Sequence, residues 1–217
     1  MGKLMGDSQL DTNTAFEDGL EKSQSVLKAI LASYKYRHYG IGWINKRRLR
    51  RIIEGFESML TLDPTHEEAL FGLGKTWQLL DQHEKSMTHF AQLTKTYPDN
   101  ALYWYELACE AVELGNWTVG IDCADKSLER AQNDLPLLQG YAGLMIVTEQ
   151  DTKARQVVTR LLEMDGSNKH SQSLYTMLDR LQSDEIYRPD MFEMRNAWRV
   201  ANYLSDEARY RLDMGGS

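Results

Sequence analysis

The phrases FESMLTLDP at residues 56–64 and FAQLTKTYP at residues 90–98 have the same layout, and they decide the fold of this chain. Each begins with an aromatic residue and ends with a proline, and the two prolines lie 34 positions apart. Moving along the chain in steps of 34 gives four frames, which begin at residues 33, 67, 101 and 135. A fixed period of this length is typical of proteins built from stacked pairs of helices.

The frames agree at other positions as well. Position 8 is small in every frame: Gly40, Gly74, Ala108 and Ala142. Turn signals stand near position 15, as in Asp81-Gln82 and Gly115-Asn116. On both sides of that turn, apolar residues recur with the spacing of an amphipathic helix. Each frame therefore predicts two helices, which approach each other closely at the small residue.

This pattern resembles the tetratricopeptide repeat (TPR) family over residues 33–168, although Gly166 stands where the fourth frame should have its proline. The resemblance implies an all-α fold, a right-handed α–α superhelix whose concave face is lined by the first helix of each pair. It implies repeats at residues 33–66, 67–100, 101–134 and 135–168, with an extra helix at residues 169–182. Because one helical pair cannot bury its apolar face alone, neighbouring pairs must stack.

Both ends of the chain predict capping elements, which a solenoid needs to cover its terminal repeats. Residues 15–32 form an N-terminal helix pattern outside the repeat register, after a disordered stretch at residues 1–14. Residues 183–214 form a C-terminal amphipathic segment, followed by a flexible end at residues 215–217. The apolar stripe of that segment consists of Met191, Met194, Trp198, Ala201 and Leu204. We expect this stripe to dock on the repeats, either as a cap or in the concave groove.

Composition narrows the class of protein. The chain has 217 residues, of which 42% are hydrophobic and 26% charged, and these values exclude a globally disordered protein. Two cysteines cannot form a disulfide framework, which indicates a reducing compartment. No apolar stretch is long enough to cross a membrane, and the first 14 residues lack the apolar core of a secretory signal. We therefore expect a cytoplasmic protein, with peripheral association with a membrane-bound complex as an alternative.

The sequence indicates no catalytic, cofactor or metal site. The five histidines are scattered without metal-ligand spacing, and we interpret them as ordinary surface or turn residues. We interpret Cys109 and Cys123 as small buried or half-buried residues. Phosphate-binding and nucleophile motifs are absent from the sequence. We expect a protein that is not an enzyme and has no small-molecule substrate.

The TPR resemblance also implies which side chains line the concave groove. The candidate groove residues are Tyr34, Arg37, Ile41, Phe71, Lys75, Leu102, Tyr105, Cys109, Val112 and Ile146. Most are apolar, and a groove of this kind accepts a partner's helix or extended segment. Its covering could equally be the chain's own terminal helix or a second copy of the chain. The basic clamp by which some family members hold acidic tails is absent, because Leu102 and Glu106 occupy two of its positions.

Two charge clusters leave alternatives open. The first consists of Lys46, Arg47, Arg48, Arg50 and Arg51, at the predicted turn of the first hairpin. It stays solvated, contacts RNA or another phosphate, an anionic membrane surface or a nuclear import receptor, or meets the acidic central repeats of a second copy of the chain. A net charge of −7 opposes nucleic acid binding along the whole chain. The second consists of Glu106, Glu110 and Glu113 on one helix face, which predicts a solvated stripe or a site for a basic ligand.

The leading hypothesis from the sequence is an interaction scaffold or chaperone-like adaptor that binds a partner protein in the apolar groove. The alternative is a helical-repeat protein that contacts RNA or an anionic membrane surface through the basic cluster at residues 46–51. Salt separates the two, since binding through basic residues weakens steeply as salt rises and apolar binding does not.

Overall fold

The computed structural model describes residues 19–22, 25, 43–131 and 133–194. These residues form helices joined by short turns, with no β-strand among them. The helices are α1 (Trp43–Leu62), α2 (Glu67–Leu79), α3 (His83–Thr96), α4 (Ala101–Glu113), α5 (Trp117–Arg130), α6 (Leu135–Val147), α7 (Asp151–Met164) and α8 (Lys169–Gln182). The chain divides into two compact units, Met1–Thr96 and Tyr97–Ser217. Helices α1 to α3 belong to the first unit, and α4 to α8 belong to the second.

The first helix of each pair begins in the same way. The N-caps of α2, α4, α6 and α8 are His66, Asn100, Asp134 and Asn168, which lie 34 residues apart. Each side chain accepts a hydrogen bond from a backbone N–H of the first turn, as Asp134 Oδ1 does from Leu137 at 3.0 Å. Such an acceptor satisfies a donor that a helix start leaves without an intrahelical partner. The 34-residue period is therefore visible in the caps as well as in the apolar positions.

The turn inside each pair is repeated too. Asp81, Gly115 and Glu149, again 34 positions apart, have positive φ values of 56°, 75° and 62°. In each turn two backbone N–H groups donate to carbonyls of the last helical turn, as Asn116 does to Ala111 at 2.8 Å. This is the Schellman arrangement, which ends a helix with one residue in the left-handed region. Turns are thus present near position 15 of the three frames that begin at residues 67, 101 and 135.

The small residues at position 8 lie where the two helices of a pair touch. A Cβ atom at Gly74 would stand 2.7 Å from the ring of Phe90 on α3. Ala108 and Ala142, at the same position of α4 and α6, have no exposed surface. Because protein interiors are close-packed, a larger side chain at these positions has no space.

The first frame departs from the prediction. Helix α1 runs unbroken through 20 residues, so no turn interrupts it at residues 46–51. Lysine, arginine and leucine are good helix formers, and residues 46–51 contain no glycine or proline that would end the helix. The buried face of α1, which includes Leu49, Ile52 and Phe56, packs against α2. The basic cluster therefore lies along a helix and not at a hairpin turn.

Several predicted features lie outside the described residues. They include residues 1–14, most of the predicted N-terminal helix at residues 15–32, Tyr34, Arg37, Ile41, Trp198, Ala201, Leu204 and residues 215–217.

Candidate functional site

Helices α4 and α6 pack side by side in the second unit. Helix α6 contains no charged residue, and residues 141–148 are buried without a break. A helix that is apolar on every side is stable in a globular protein only when every side is covered. Helices α5, α7 and α8 belong to the same unit. The side of α6 that lies next to α4 still needs a further segment to cover its C-terminal end.

That cover is residues 186–194, which we call the return segment. After α8 the chain turns at Asp184, whose φ is 55°. It then runs back to α6 and forms one helical turn at residues 191–194. We call the surface that it covers, formed by Val112, Gly143, Ile146 and Val147, the α4–α6 face.

Arg188 attaches the return segment to the rim of this face. Its guanidinium donates two hydrogen bonds to the carboxylate of Asp151, Nη1 to Oδ1 at 2.6 Å and Nη2 to Oδ2 at 2.8 Å. Nη1 also donates to the backbone carbonyl of Ile146 at 2.7 Å. The hydrogen bond with Asp151 raises the pKa of Arg188. One side chain thereby joins the end of α6 to the start of α7.

Two methionines of the return segment pack on the apolar centre of the α4–α6 face, which we call its floor. Met191 and Met194 are each only 7% exposed. A Cβ atom at Gly143 would lie 3.2 Å from Cγ and 3.3 Å from Sδ of Met194, so the absence of a side chain on this glycine leaves the space that Met194 occupies. Methionine suits such a site because its unbranched thioether adapts to irregular apolar surfaces.

A cleft of about 400 Å³ remains between the return segment and the helices. Its lining comprises Val112, Glu113, Trp117, Val147 and Glu149 on the helices and Arg188, Pro189, Asp190, Met191 and Phe192 on the return segment. Trp117 is 42% exposed and Phe192 is 66% exposed. The cleft is therefore bordered by aromatic side chains that remain open to solvent.

The groove residues predicted in the second unit differ in exposure. Cys109, Val112 and Ile146 are buried, so they are not open lining in this structure. Leu102 and Tyr105 are half-buried. The ring of Tyr105 lies against Gly140, where a Cβ atom would be 2.6 Å away, so this side chain also packs between α4 and α6.

The two predicted groove residues in the described part of the first unit lie on α2. Phe71 is half-buried and packs edge-to-face on Phe90, with ring centroids 6.0 Å apart. Lys75, also half-buried, donates to Gln78 Oε1 at 2.5 Å. Phe71 thus contributes to the contact between α2 and α3.

The glutamates of α4 do not form a solvated stripe, contrary to that interpretation of the sequence. Glu110 has no exposed surface and Glu106 is 8% exposed, while Glu113 is half-buried. The spacing of the three glutamates correctly indicates one shared helix face. That face is not solvated, because a helix that packs on several sides leaves few positions exposed.

The basic cluster of α1 is exposed throughout. Lys46, Arg47, Arg48, Arg50 and Arg51 all face solvent. None of the five forms an ion pair or hydrogen bond within the described part of the chain, whereas Lys126, Lys153 and Arg155 of the second unit pair with aspartates. The cluster is a concentrated positive surface on one side of α1.

One histidine departs from the interpretation as an ordinary surface residue. His170 on α8 is 8% exposed, and burial lowers its pKa to about 4. Burial also lowers the pKa of His89 on α3. Cys109 and Cys123 are buried and are not joined in a disulfide, and burial raises the pKa of Cys123.

The described residues do not bring together a metal site, since no three His, Cys, Asp or Glu side chains converge among them. Within the same ranges, no helix combines the length and the apolar character that crossing a bilayer requires.

Sequence reasoning missed the role of Arg188. One signal was available: a helix with no charge, such as α6, implies that some segment must cover it. The pairing of Arg188 with Asp151 had no signal, because the two residues are 37 positions apart and meet only through the return of the chain.

No protein-family profile matches the sequence. Superkiller protein 3 of Saccharomyces cerevisiae is 25% identical over 114 residues, which are 52% of this chain and 8% of that protein. The chain therefore spans less than a tenth of the length of that curated relative.

Solved structures give broader coverage. A tetratricopeptide repeat protein from Parabacteroides merdae has a TM-score of 0.58 at 14% identity, over 93% of this chain and 87% of that one. MamA has a TM-score of 0.56 at 13% identity, over 76% and 100%. YrrB, described as a TPR protein with an unusual peptide-binding site, has a TM-score of 0.55 at 14% identity, over 88% and 99%.

These likenesses agree with the caps, turns and close helix contacts that recur every 34 residues. The fold class and the repeat type predicted from the sequence are confirmed. The chain has the fold of tetratricopeptide repeat proteins.

Proposed function

We propose that this protein is a non-enzymatic interaction module that holds a segment of a partner protein on the α4–α6 face. One observation carries the proposal: the face already holds a peptide segment, the return segment, through a rim arginine and two buried methionines. A surface that accommodates an extended stretch followed by a helical turn can accommodate another of similar shape. The peptide-binding site described for YrrB supports the same use of the fold.

The chemistry of the face supports binding and not catalysis. Its floor is apolar, and the polar groups at its rim, the Asp151 carboxylate and the Ile146 carbonyl, hold a guanidinium at hydrogen-bonding distance. A few well-placed polar groups around an apolar floor are typical of recognition sites. The proposed role as adaptor or scaffold needs no cofactor, and it fits the cytoplasmic location expected from the sequence.

Site-specific photo-crosslinking tests this proposal. Trp117, at the border of the cleft, is replaced by benzoylphenylalanine, and the matched control carries the same group at Tyr175 on α8. The two positions are similarly exposed, at 42% and 38%. We expect the Trp117 variant to crosslink to one segment of a partner protein, mapped by mass spectrometry, and the Tyr175 variant to give none of that product.

Equal yields from the two positions would count against the α4–α6 face as the binding site. Crosslinks from position 117 that reach only residues 186–194 of the same chain would mean that the return segment is a permanent cap. Either result would contradict the proposed function.

The basic surface of α1 supports a second candidate function, contact with RNA or an anionic membrane surface. Its five cations are exposed and unpaired with any described residue. A salt titration with a single-stranded RNA and with anionic vesicles tests it, because each phosphate contact steepens the loss of affinity with salt. Binding that is absent at low salt, or unchanged when Arg47, Arg48 and Arg51 are replaced by Gln, would reject this candidate.

A further inference from the structure

We propose that the return segment is a built-in competitor for the α4–α6 face, and that the partner carries the same three anchors. Those anchors are an arginine followed, three and six residues later, by long unbranched apolar side chains, as in Arg188, Met191 and Met194. This inference rests on the proposed function, since it names the chemistry of the partner segment.

The first anchor must be an arginine because of what it meets. Asp151 lies in the first turn of α7, where the helix dipole favours a negative charge. The Ile146 carbonyl belongs to the last turn of α6, where the dipole favours a cation. A guanidinium spans both, with two parallel bonds to the carboxylate and one to the carbonyl. The ammonium of a lysine has no such fork and cannot reproduce this geometry.

The spacing of the other anchors follows from the local structure of the return segment. Asp190 Oδ1 accepts a hydrogen bond from the Glu193 backbone N–H at 2.8 Å, and Glu193 Oε2 accepts one from the Asp190 N–H at 3.0 Å. This reciprocal pair is a capping box, which starts a helix. In the helical turn that follows, residues three apart share one face, so Met191 and Met194 both reach the floor.

Two other large side chains of the return segment are mostly exposed. Tyr187 is 60% exposed and Phe192 is 66% exposed. The Tyr187 hydroxyl donates to Glu193 at 2.7 Å, which is a contact inside the segment. The hydrogen bonds to the face and its two most buried contacts come from the three anchors, and a partner segment that provides them is free to differ at an exposed position such as Tyr187.

Competition follows from the covalent connection. Only a short connection separates α8 from the return segment, and a tethered ligand has an effective concentration in the millimolar range. A partner must displace the return segment before it can bind. The apparent Kd of the partner therefore equals its intrinsic Kd divided by the fraction of molecules in which the face is open. Weakening the anchors of the return segment should therefore strengthen binding by an external segment.

The test uses the full chain and a fluorescein-labelled peptide with the sequence of residues 184–204. Its binding is measured by fluorescence anisotropy to the natural chain and to the Met191→Asp/Met194→Asp double variant, whose own segment is released. We expect the Kd for the double variant to be about tenfold lower or more. The peptide with Arg188→Lys should bind about tenfold more weakly, and the Tyr187→Phe peptide, changed at an exposed residue that does not line the cleft, should bind like the parent.

Equal affinity for the two chains, or indifference of the peptide to Arg188→Lys, would overturn the inference. If circular dichroism shows that the double variant is unfolded, the Arg188→Lys chain replaces it, and a gain in peptide affinity is again required. Adding Gly143→Val to the opened chain should abolish peptide binding, because the new side chain occupies the space of Met194. Peptide binding that survives Gly143→Val would place the peptide elsewhere and contradict the proposal.

Failure of this inference is distinguishable from failure of the proposed function. If the Trp117 crosslink to a partner forms but is not reduced by an excess of the 184–204 peptide, the partner binds and the inference is wrong. If the peptide binds the opened chain as expected but no partner crosslink forms, the return segment is an intramolecular ligand and the proposed function is wrong.

Discussion

Helices α2 and α6 occupy the same place in their frames, yet among the described residues only α6 lies under a segment that returns from further along the chain. Both have 13 residues, a side-chain N-cap and a Schellman turn at their end. They differ in their remaining positions, because α2 carries Glu67, Glu68 and Lys75 whereas α6 carries no charge. The repeat pattern therefore determines the helical pair, and the positions outside the pattern determine what must cover it.

The difference also bears on the proposed function. A half-polar helix such as α2 can face water, whereas α6 exposes an apolar surface whenever the return segment leaves. Exposed apolar patches of this kind mark binding sites or cause association. Substitutions in α2, in α6 and in the elements next to them test this difference.

The largest change in stability should come from replacing Gly74 of α2, and the same replacement at Gly143 of α6 should have a smaller effect. Gly74→Leu on α2 places a side chain against the buried ring of Phe90, and we expect a loss of about 3 kcal/mol in the free energy of unfolding. Gly143→Leu on α6 meets only the flexible side chain of Met194, and we expect a loss of about 1 kcal/mol as the return segment moves away. Urea denaturation measures both. Equal losses would mean that the return segment is as rigidly packed as the helical pair.

The second prediction concerns pH and α8, which packs against α6. Burial lowers the pKa of His170 from 6.5 to about 4, so the unfolded chain binds this proton over a pH range in which the folded chain does not. The stability from neutral His170 is therefore complete above pH 6.5 and falls by up to about 3 kcal/mol as the pH drops to 4.

The measurement compares the natural chain with His170→Gln in urea at several pH values between 7 and 4. Subtraction removes the contribution of the carboxylates, which both proteins share. We expect the difference between the two unfolding free energies to shrink as the pH falls, whereas His83→Gln serves as a control at a half-buried position. A difference that stays constant would show that folding does not lower the pKa of His170.

The third prediction concerns position 7, which is Leu73 in α2 and Tyr141 in α6. The Tyr141 hydroxyl donates to Asp125 on α5 at 2.8 Å, and Asp125 also pairs with Lys153 on α7 at 2.6 Å. Tyr141→Phe should cost about 1 kcal/mol, because the carboxylate retains its lysine. Thermal unfolding with Tyr175→Phe as the exposed control measures the difference. No loss at Tyr141 would mean that water replaces the hydroxyl.

The smallest effects should come from the left-handed residues of the turns. Glu149→Gly, after α6, and Asp81→Gly, after α2, should each stabilise the protein by up to about 1 kcal/mol, because glycine adopts this conformation without strain. Gly115→Ala should destabilise it by about 1 kcal/mol for the same reason. Opposite signs in thermal unfolding are required, and a stabilising Gly115→Ala would contradict the assigned turn geometry.

Much of the repeat structure could be read from local patterns. The helix contact at Gly74 and the turn at Gly115 follow from residues close together in sequence, because a small residue and a left-handed residue each have a local physical requirement. The N-cap residues Asn100 and Asn168 follow the same 34-residue period, so they are a second local signal of the helix starts. The turn predicted in the first frame is wrong because residues 46–51 favour an unbroken helix.

Local sequence patterns specify the 34-residue period, the helical pairs and the existence of an apolar surface on α6, since these depend on periodicity and local propensity. The sequence also predicts that the C-terminal apolar stripe docks on the repeats, but the surface on which it docks follows from the tertiary structure. The contacts of Arg188 with Asp151 and Ile146, and of Met194 with Gly143, join residues 37 to 51 positions apart. Such contacts depend on the direction in which the chain returns after α8, and no local pattern specifies that direction.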